Sequence, residues 1–411
     1  MTAHRDHPCR ITGCGVVALA AALASCSSPR PLRTTTSRLE ALQARVDSGA
    51  ELPRPKLPPG TDSNAAAAYY HWGEPLVRFG VKLDTAEMAL YWASRLDPAW
   101  PDPLYARGML ILQGLQHDAF ETWLKTRSIG AARHVEITPR QARLVDSLMR
   151  IAWARNPFLF NDLEFHRLAP GRRGDPERDG WLAFASRRFA AADSLFARVL
   201  SKHPGDVGVR TYRARALFFL GRYDSAVAEL ETARDSMRGR TEAQLSAIVP
   251  SVEMFEYAIG VVRVQQDDFP AARSAFQRAL TENLGFYWAH ARLAGAAIAL
   301  GDTAGALTEL EQAVDLEGRD PVLRLYRGAV LRDARKLDEA AVQLQKAIEL
   351  DSYYAAPRYW LAGVYRAQGK LAAAIEQYRL FLDHAAQGDA DRASAVRALV
   401  DLGASPRDSS P

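Results

Sequence analysis

Beyond position 26 the 411-residue chain has no cysteine; Cys9, Cys14 and Cys26 all stand near its start. That excludes an internal disulfide framework and any cysteine-based zinc site in the body. Also missing are a phosphate-cradling glycine loop, an HExxH pair, a GxSxG elbow and a CxxC motif, so the common nucleotide-binding, metallohydrolase, esterase and redox signatures are excluded. Charge of one sign is scarce: 52 lysines and arginines face 48 acids, a formal +4. Neither a lysine stripe nor an aromatic-basic RNA motif accompanies that excess, which argues against nucleic acid as a partner. The apolar run Gly15 to Ala24 is too short to span a bilayer, which needs about 20 residues. With 48% hydrophobic and 24% charged residues, the chain can still bury a large core.

The start reads as a secretory signal. His4, Arg5, His7 and Arg10 precede the uncharged run Gly15–Ala24, and small residues follow, matching the order of n-region, h-region and cleavage site. Leu23-Ala24-Ser25-Cys26 resembles the bacterial lipobox. That resemblance implies cleavage after residue 25, lipid attached to Cys26, and a place in the cell envelope. Ser27 after the cysteine favours the outer membrane, periplasmic face, by the sorting rule of such lipoproteins. An ordinary signal peptide with Cys26 incidental and a misread cytosolic start are the alternatives. Residues 26–63 carry Pro29, Pro31, Pro53, Pro55, Pro58 and Pro59 and read as a tether, with two or three helical turns over Ser37–Val46.

From residue 173 the chain repeats itself. Six segments start at Arg173, Val207, Glu253, Tyr287, Pro321 and Ala355. Their twentieth residue is always alanine: Ala192, Ala226, Ala272, Ala306, Ala340 and Ala374. Their eighth is small (Gly180, Ala214, Gly260, Ala294, Gly328, Ala362) and their twenty-fourth large (Phe196, Leu230, Phe276, Leu310, Leu344, Tyr378). Both the period and the small-large pattern resemble the tetratricopeptide repeat. The resemblance implies an all-α, right-handed superhelical solenoid of helix pairs A and B. Small residues belong where A crosses B, and neighbouring pairs bury what one pair cannot. The register slips once: twelve extra residues fall between Ala226 and Ala272, assigned to the segment 241–252, with Pro250 as a kink. Residues 389–404 suit a capping helix and 405–411 a disordered tail.

The earlier half is less regular. Residues 64–112 read as irregular repeat-like helices, with Thr85–Pro98 as a helix B and Glu74 where a small residue is expected. Residues 113–172 read as an insertion, helical from Pro139 to Arg155 and bearing Asn156–Pro157–Phe158–Leu159–Phe160–Asn161–Asp162. It holds His117, Glu121, His134, Glu136, Asp162, Glu164 and His166. Only His117 and Glu121 share a helix face at ligand spacing, too thin a set for a metal. No metal, cofactor or catalytic residue is assigned, and the chain is read as a binding protein rather than an enzyme.

In tetratricopeptide domains helix A lines the concave groove through positions 2, 5, 9, 12 and 13. Carried over, the partner-binding candidates are Trp181, Phe184, Arg215, Phe218, Phe219, Tyr257, Trp288, Arg332, Tyr359 and Arg366. Aromatics and arginine anchor interfaces, although each aromatic could equally be packing between helices. Arg332 and Arg366 share position 12 in adjacent repeats, which predicts two unpaired cations and a partner with acidic or C-terminal carboxylate groups; the alternative is that Asp333 or a neighbouring acid already pairs them. The expected function is a lipid-anchored scaffold for protein partners. A ligand or glycan binder accessory to polymer export and an enzyme hidden in the insertion are the alternatives.

Overall fold

A computed structural model of the chain describes residues 35–127, 137–160, 174–238 and 251–406. Cys26 and its preceding segment, His134, Glu136, Asp162, Glu164, His166, the segment 241–250 and residues 407–411 lie outside these. The described residues hold eighteen α-helices and no strand.

Twelve helices form the six expected pairs. Helices A are α6 (Pro176–Ala185), α8 (Val207–Phe219), α10 (Val252–Gln265), α12 (Tyr287–Ala299), α14 (Pro321–Asp333) and α16 (Ala356–Ala367). Helices B are α7 (Phe189–Lys202), α9 (Tyr223–Met237), α11 (Phe269–Glu282), α13 (Thr303–Leu316), α15 (Leu337–Leu350) and α17 (Leu371–His384). The packing logic is explicit at position 8, which rests on position 24 of its own repeat. A Cβ placed on Gly180 would press on Phe196, one on Gly260 on Phe276, and one on Gly328 on Leu344. All six alanines at position 20 are 0% exposed. Every A–B turn places its fifteenth residue in the left-handed region: Arg187, Gly221, Asp267, Gly301, Arg335 and Gly369. That conformation is easy for glycine and costs other residues about 1–2 kcal/mol. Behind the last pair α18 (Arg392–Asp401) buries Ala395 and Leu399.

The first half departs from expectation in three places. Residues 35–63 are not a tether. Helix α1 (Thr35–Asp47) is held at its start by Asp118, whose carboxylate accepts from the Thr35 and Thr36 amides at 2.8 and 2.9 Å. Further on Leu52 is 1% exposed, and its carbonyl accepts from the Trp92 indole. Arg54 lies over Trp92, Tyr69 and Tyr353. Secondly, the residue at the A–B crossing of the first pair, α2 (Ala66–Arg78) and α3 (Leu83–Leu96), is Gly73 rather than Glu74. A Cβ on Gly73 would meet Ala89 at 3.0 Å, whereas Glu74 turns aside to Arg78 at 2.6 Å. Thirdly, part of the supposed insertion is a helix pair. Helix α4 (Pro101–Thr126) runs straight through residue 113. It packs on α5 (Pro139–Arg155), with Met149 against Gly108.

These early helices also touch the last repeats. Arg95 pairs with Asp351 at 2.6 Å, Tyr353 meets Trp92 edge-on at 4.7 Å, and Asn64 donates to the Asp383 carbonyl at 2.7 Å.

Candidate functional site: the A-helix face and the segment lying on it

The ten partner-binding candidates divide into two groups. The first seven, Trp181 to Trp288, belong to four successive helices A, and most of them meet one piece of the chain itself. That piece, Ala154 to Phe160, leaves the end of α5 and crosses them without helical structure after Arg155. Its conformation follows from its sequence. Pro157 disfavours helix at Asn156, whose side chain then accepts from the Phe158 amide at 2.9 Å.

The contacts alternate between rings and carbonyls. Phe158 stacks on Phe218 with centroids 3.9 Å apart and planes 13° apart. Phe160 sits among Phe184 (5.6 Å), Phe189 (6.0 Å) and Phe219 (6.1 Å). Between the two rings the Leu159 carbonyl accepts from Arg215, whose guanidinium lies 4.6 Å from the Tyr212 ring centre. Upstream, the Tyr257 hydroxyl donates to the Ala154 carbonyl. Arg292 donates to the Arg155 carbonyl at 2.7 Å and to the Tyr257 oxygen at 3.2 Å. Burial pushes the Tyr257 pKa up, with Arg292 pulling the other way; the hydroxyl therefore keeps its proton for Ala154. The Arg155 side chain pairs with Asp320 at 3.3 Å and lies 5.7 Å from the Trp288 ring centre. Phe158 and Leu159 end 2% and 3% exposed.

Trp181 is the exception in the first group: it packs between helices, against Tyr212 at 4.0 Å and Phe196 at 5.3 Å. The second group, Arg332, Tyr359 and Arg366, lies in the last two repeats. Here the expectation of two unpaired cations fails. Arg332 pairs with Asp333 at 2.7 Å and lies 4.2 Å from the Trp360 ring centre. Arg366 stands 3.9 Å from Asp401. Tyr359 packs edge-on to Tyr378 and tilted against Phe381. An acid thus stands within 3.9 Å of each arginine, in ion pairs that are solvent-exposed and weak. Both arginines remain partly exposed, at 32% and 47%.

In the former insertion, His117 and Glu121 part ways: His117 lies 3.1 Å from the Thr35 hydroxyl and Glu121 pairs with Lys125 at 3.6 Å. Among the described residues no cluster of three histidines, cysteines or acids could hold a metal ion. Sequence reasoning missed Arg155, Phe158, Phe160, Arg292 and Asp320 as members of this site. The one signal that pointed there was a Phe-x-Phe pair after Asn-Pro in a stretch with no repeat pattern.

Residues 183–248 and 263–325 match the tetratricopeptide-repeat family model. No curated protein matches the sequence. Among solved structures, the chain is similar to YrrB, a tetratricopeptide-repeat protein with an unusual peptide-binding site; identity is 22%, coverage 49% of this chain and 96% of that one, and TM-score 0.38. It is also similar to TTC0263, from Thermus thermophilus, at 24% identity, with 46% and 97% covered and a TM-score of 0.36. A third is the C-terminal part of a repeat protein from Cytophaga hutchinsonii, at 17% identity, with 55% and 84% covered and a TM-score of 0.44. The matched segments, the 34-residue register and the helix pairing lead to one conclusion: the chain carries tetratricopeptide repeats, stacked as an all-α solenoid.

Proposed function

We propose that this chain is a lipid-anchored scaffold of the bacterial cell envelope that binds protein partners through the A-helix face of its repeats. In this reading Cys26 carries the lipid, and the repeat body works at the periplasmic face of the outer membrane. The observation that carries the binding half is the way this face holds Ala154–Phe160. Arg215, Tyr257 and Arg292 reach main-chain carbonyls while phenylalanines receive side chains. Contacts to carbonyls suit any polypeptide, and aromatic and arginine anchors are the residues interfaces favour. At the C-terminal end, Arg332, Trp360 and Arg366 leave the same line of helices partly open to solvent.

A photo-crosslinking amino acid in place of Arg366, compared with one at Glu376 on the exposed side of helix B, tests this in cells. Defined protein adducts from position 366 that are absent from 376 are expected. Adducts from 376 alone would move binding to the opposite face.

A further inference from the structure

We infer that the segment Asn156–Phe160 occupies the site of an extended peptide ligand, and that the partner bears a matching aromatic-x-aromatic sequence that takes its place. This deepens the preceding proposal by naming the class of partner. Three features of the seat separate it from ordinary core packing. The segment after Arg155 is non-helical, whereas the A-helix face to which it binds belongs to a continuous array of paired helices. Its two phenylalanines, two residues apart, enter neighbouring seats on α6 and α8: Phe218 receives Phe158, and Phe184 with Phe219 receives Phe160. The carbonyl between them is read by a side chain from the same helix, Arg215, which is itself 6% exposed.

Those interactions use nothing peculiar to this chain's own segment. A stacked ring, a second ring in an aromatic box and one carbonyl at fixed spacing are available to any extended segment of the form Phe-x-Phe. The tilted and edge-on contacts of Phe160 at 5.6–6.1 Å are the geometry in which ring pairs gain beyond their buried area, so that box selects an aromatic over an aliphatic residue of similar area, while the flat face of Phe218 takes a second ring lying parallel to it. Arg215 supplies a charge-assisted donor and fixes the direction in which the peptide runs. A negatively charged peptide has no special claim, since Asp320 already stands at the Arg155 end. The specificity is aromatic rather than acidic.

Because the competing segment is part of the same chain, an incoming peptide binds in proportion to the fraction of molecules whose seat is empty. The test uses the full chain and an acetylated, fluorescent peptide of sequence Ala-Arg-Asn-Pro-Phe-Leu-Phe, copied from residues 154–160. Phe158→Ala with Phe160→Ala empties the two aromatic seats. The double variant should bind the peptide at least about tenfold more tightly than the unaltered chain. A peptide with both phenylalanines replaced by alanine should not bind. A folded double variant that ignores the peptide, or that binds both peptides alike, overturns the inference. If the variant does not fold, the unaltered chain decides: at millimolar peptide, hydrogen exchange of the Phe158 and Leu159 amides should rise, and unchanged exchange overturns the inference. Crosslinked partners at position 366 without peptide binding would sink this inference and spare the scaffold proposal; the opposite pair of results would do the reverse.

Discussion

Replacing Gly260 by alanine tests the packing rule of the array at its tightest point. The new methyl carbon would lie 2.6 Å from Cδ1 and 2.8 Å from Cζ of Phe276, with Cε1 closer still. Carbon atoms settle at about 3.5–4.0 Å, so the ring must retreat by about 1 Å. It has nowhere to go: Phe276 is 0% exposed, in a cluster with Tyr257, Ala272 and Leu280. Overpacking of this kind costs about 1–3 kcal/mol, and the better helix propensity of alanine returns about 1 kcal/mol. The net expectation is a loss of up to about 2 kcal/mol. Gly295 is the control, also inside a helix A, solvent-exposed, and with nothing within 4 Å of where an added methyl group would sit. There the change should stabilise by about 0.5–1 kcal/mol. Thermal unfolding followed by helical circular dichroism should move the two melting temperatures in opposite directions. If both rise together, position 8 does not rest on position 24 as described.

Two other perturbations probe separate links in the argument. Arg335 holds φ at +63° in an A–B turn where three sister repeats use glycine; Arg335→Gly should raise stability by about 0.5–1 kcal/mol, and a lower melting temperature would show that its side chain matters more than its backbone. Cys26→Ser should abolish metabolic labelling with palmitate and leave an unprocessed precursor, and full labelling with normal processing would remove the lipid anchor from the proposal.

The repeats were legible because each rule involves residues close in sequence. Position 8 rests on position 24 of the same unit, so the small-large pattern recurs within a single window. The misplacement of Glu74 shows how narrow that legibility is. From Gly73 to the left-handed Gly80 is seven residues, as from Gly180 to Arg187 and from Ala214 to Gly221. The first pair then spends one more residue in its turn before Ala86, which shifts the count when it is taken backwards from helix B. The mistaken tether failed for a different reason. Proline-rich composition describes how a segment behaves alone, whereas Leu52 and Arg54 are held by Tyr69, Trp92 and Tyr353, the last about 300 residues away in the chain. The site was half legible. The repeat register placed Phe184, Arg215, Phe218, Phe219, Tyr257 and Trp288 on helices A, but what lies on them is a segment with no repeat pattern.

An aromatic-lined face is costly to leave in water, and exposed apolar patches of several hundred Å² mark interaction sites or aggregation hazards. A segment of the same chain solves that problem and also sets a threshold. Short intramolecular connections give effective concentrations in the millimolar range. A separate peptide of equal intrinsic affinity, present at about 10 μM, would then fill only about one seat in a hundred. A partner must therefore make additional contacts, such as those open around Arg332 and Arg366, or be concentrated near the repeats. Lipid attachment at Cys26, as proposed, would supply the second condition for any partner held at the same membrane. The two proposals are thus energetically linked: a soluble form lacking the anchor should engage an aromatic-x-aromatic partner far less than the anchored form at equal total concentration, whereas the Phe158→Ala, Phe160→Ala form should depend less on the anchor.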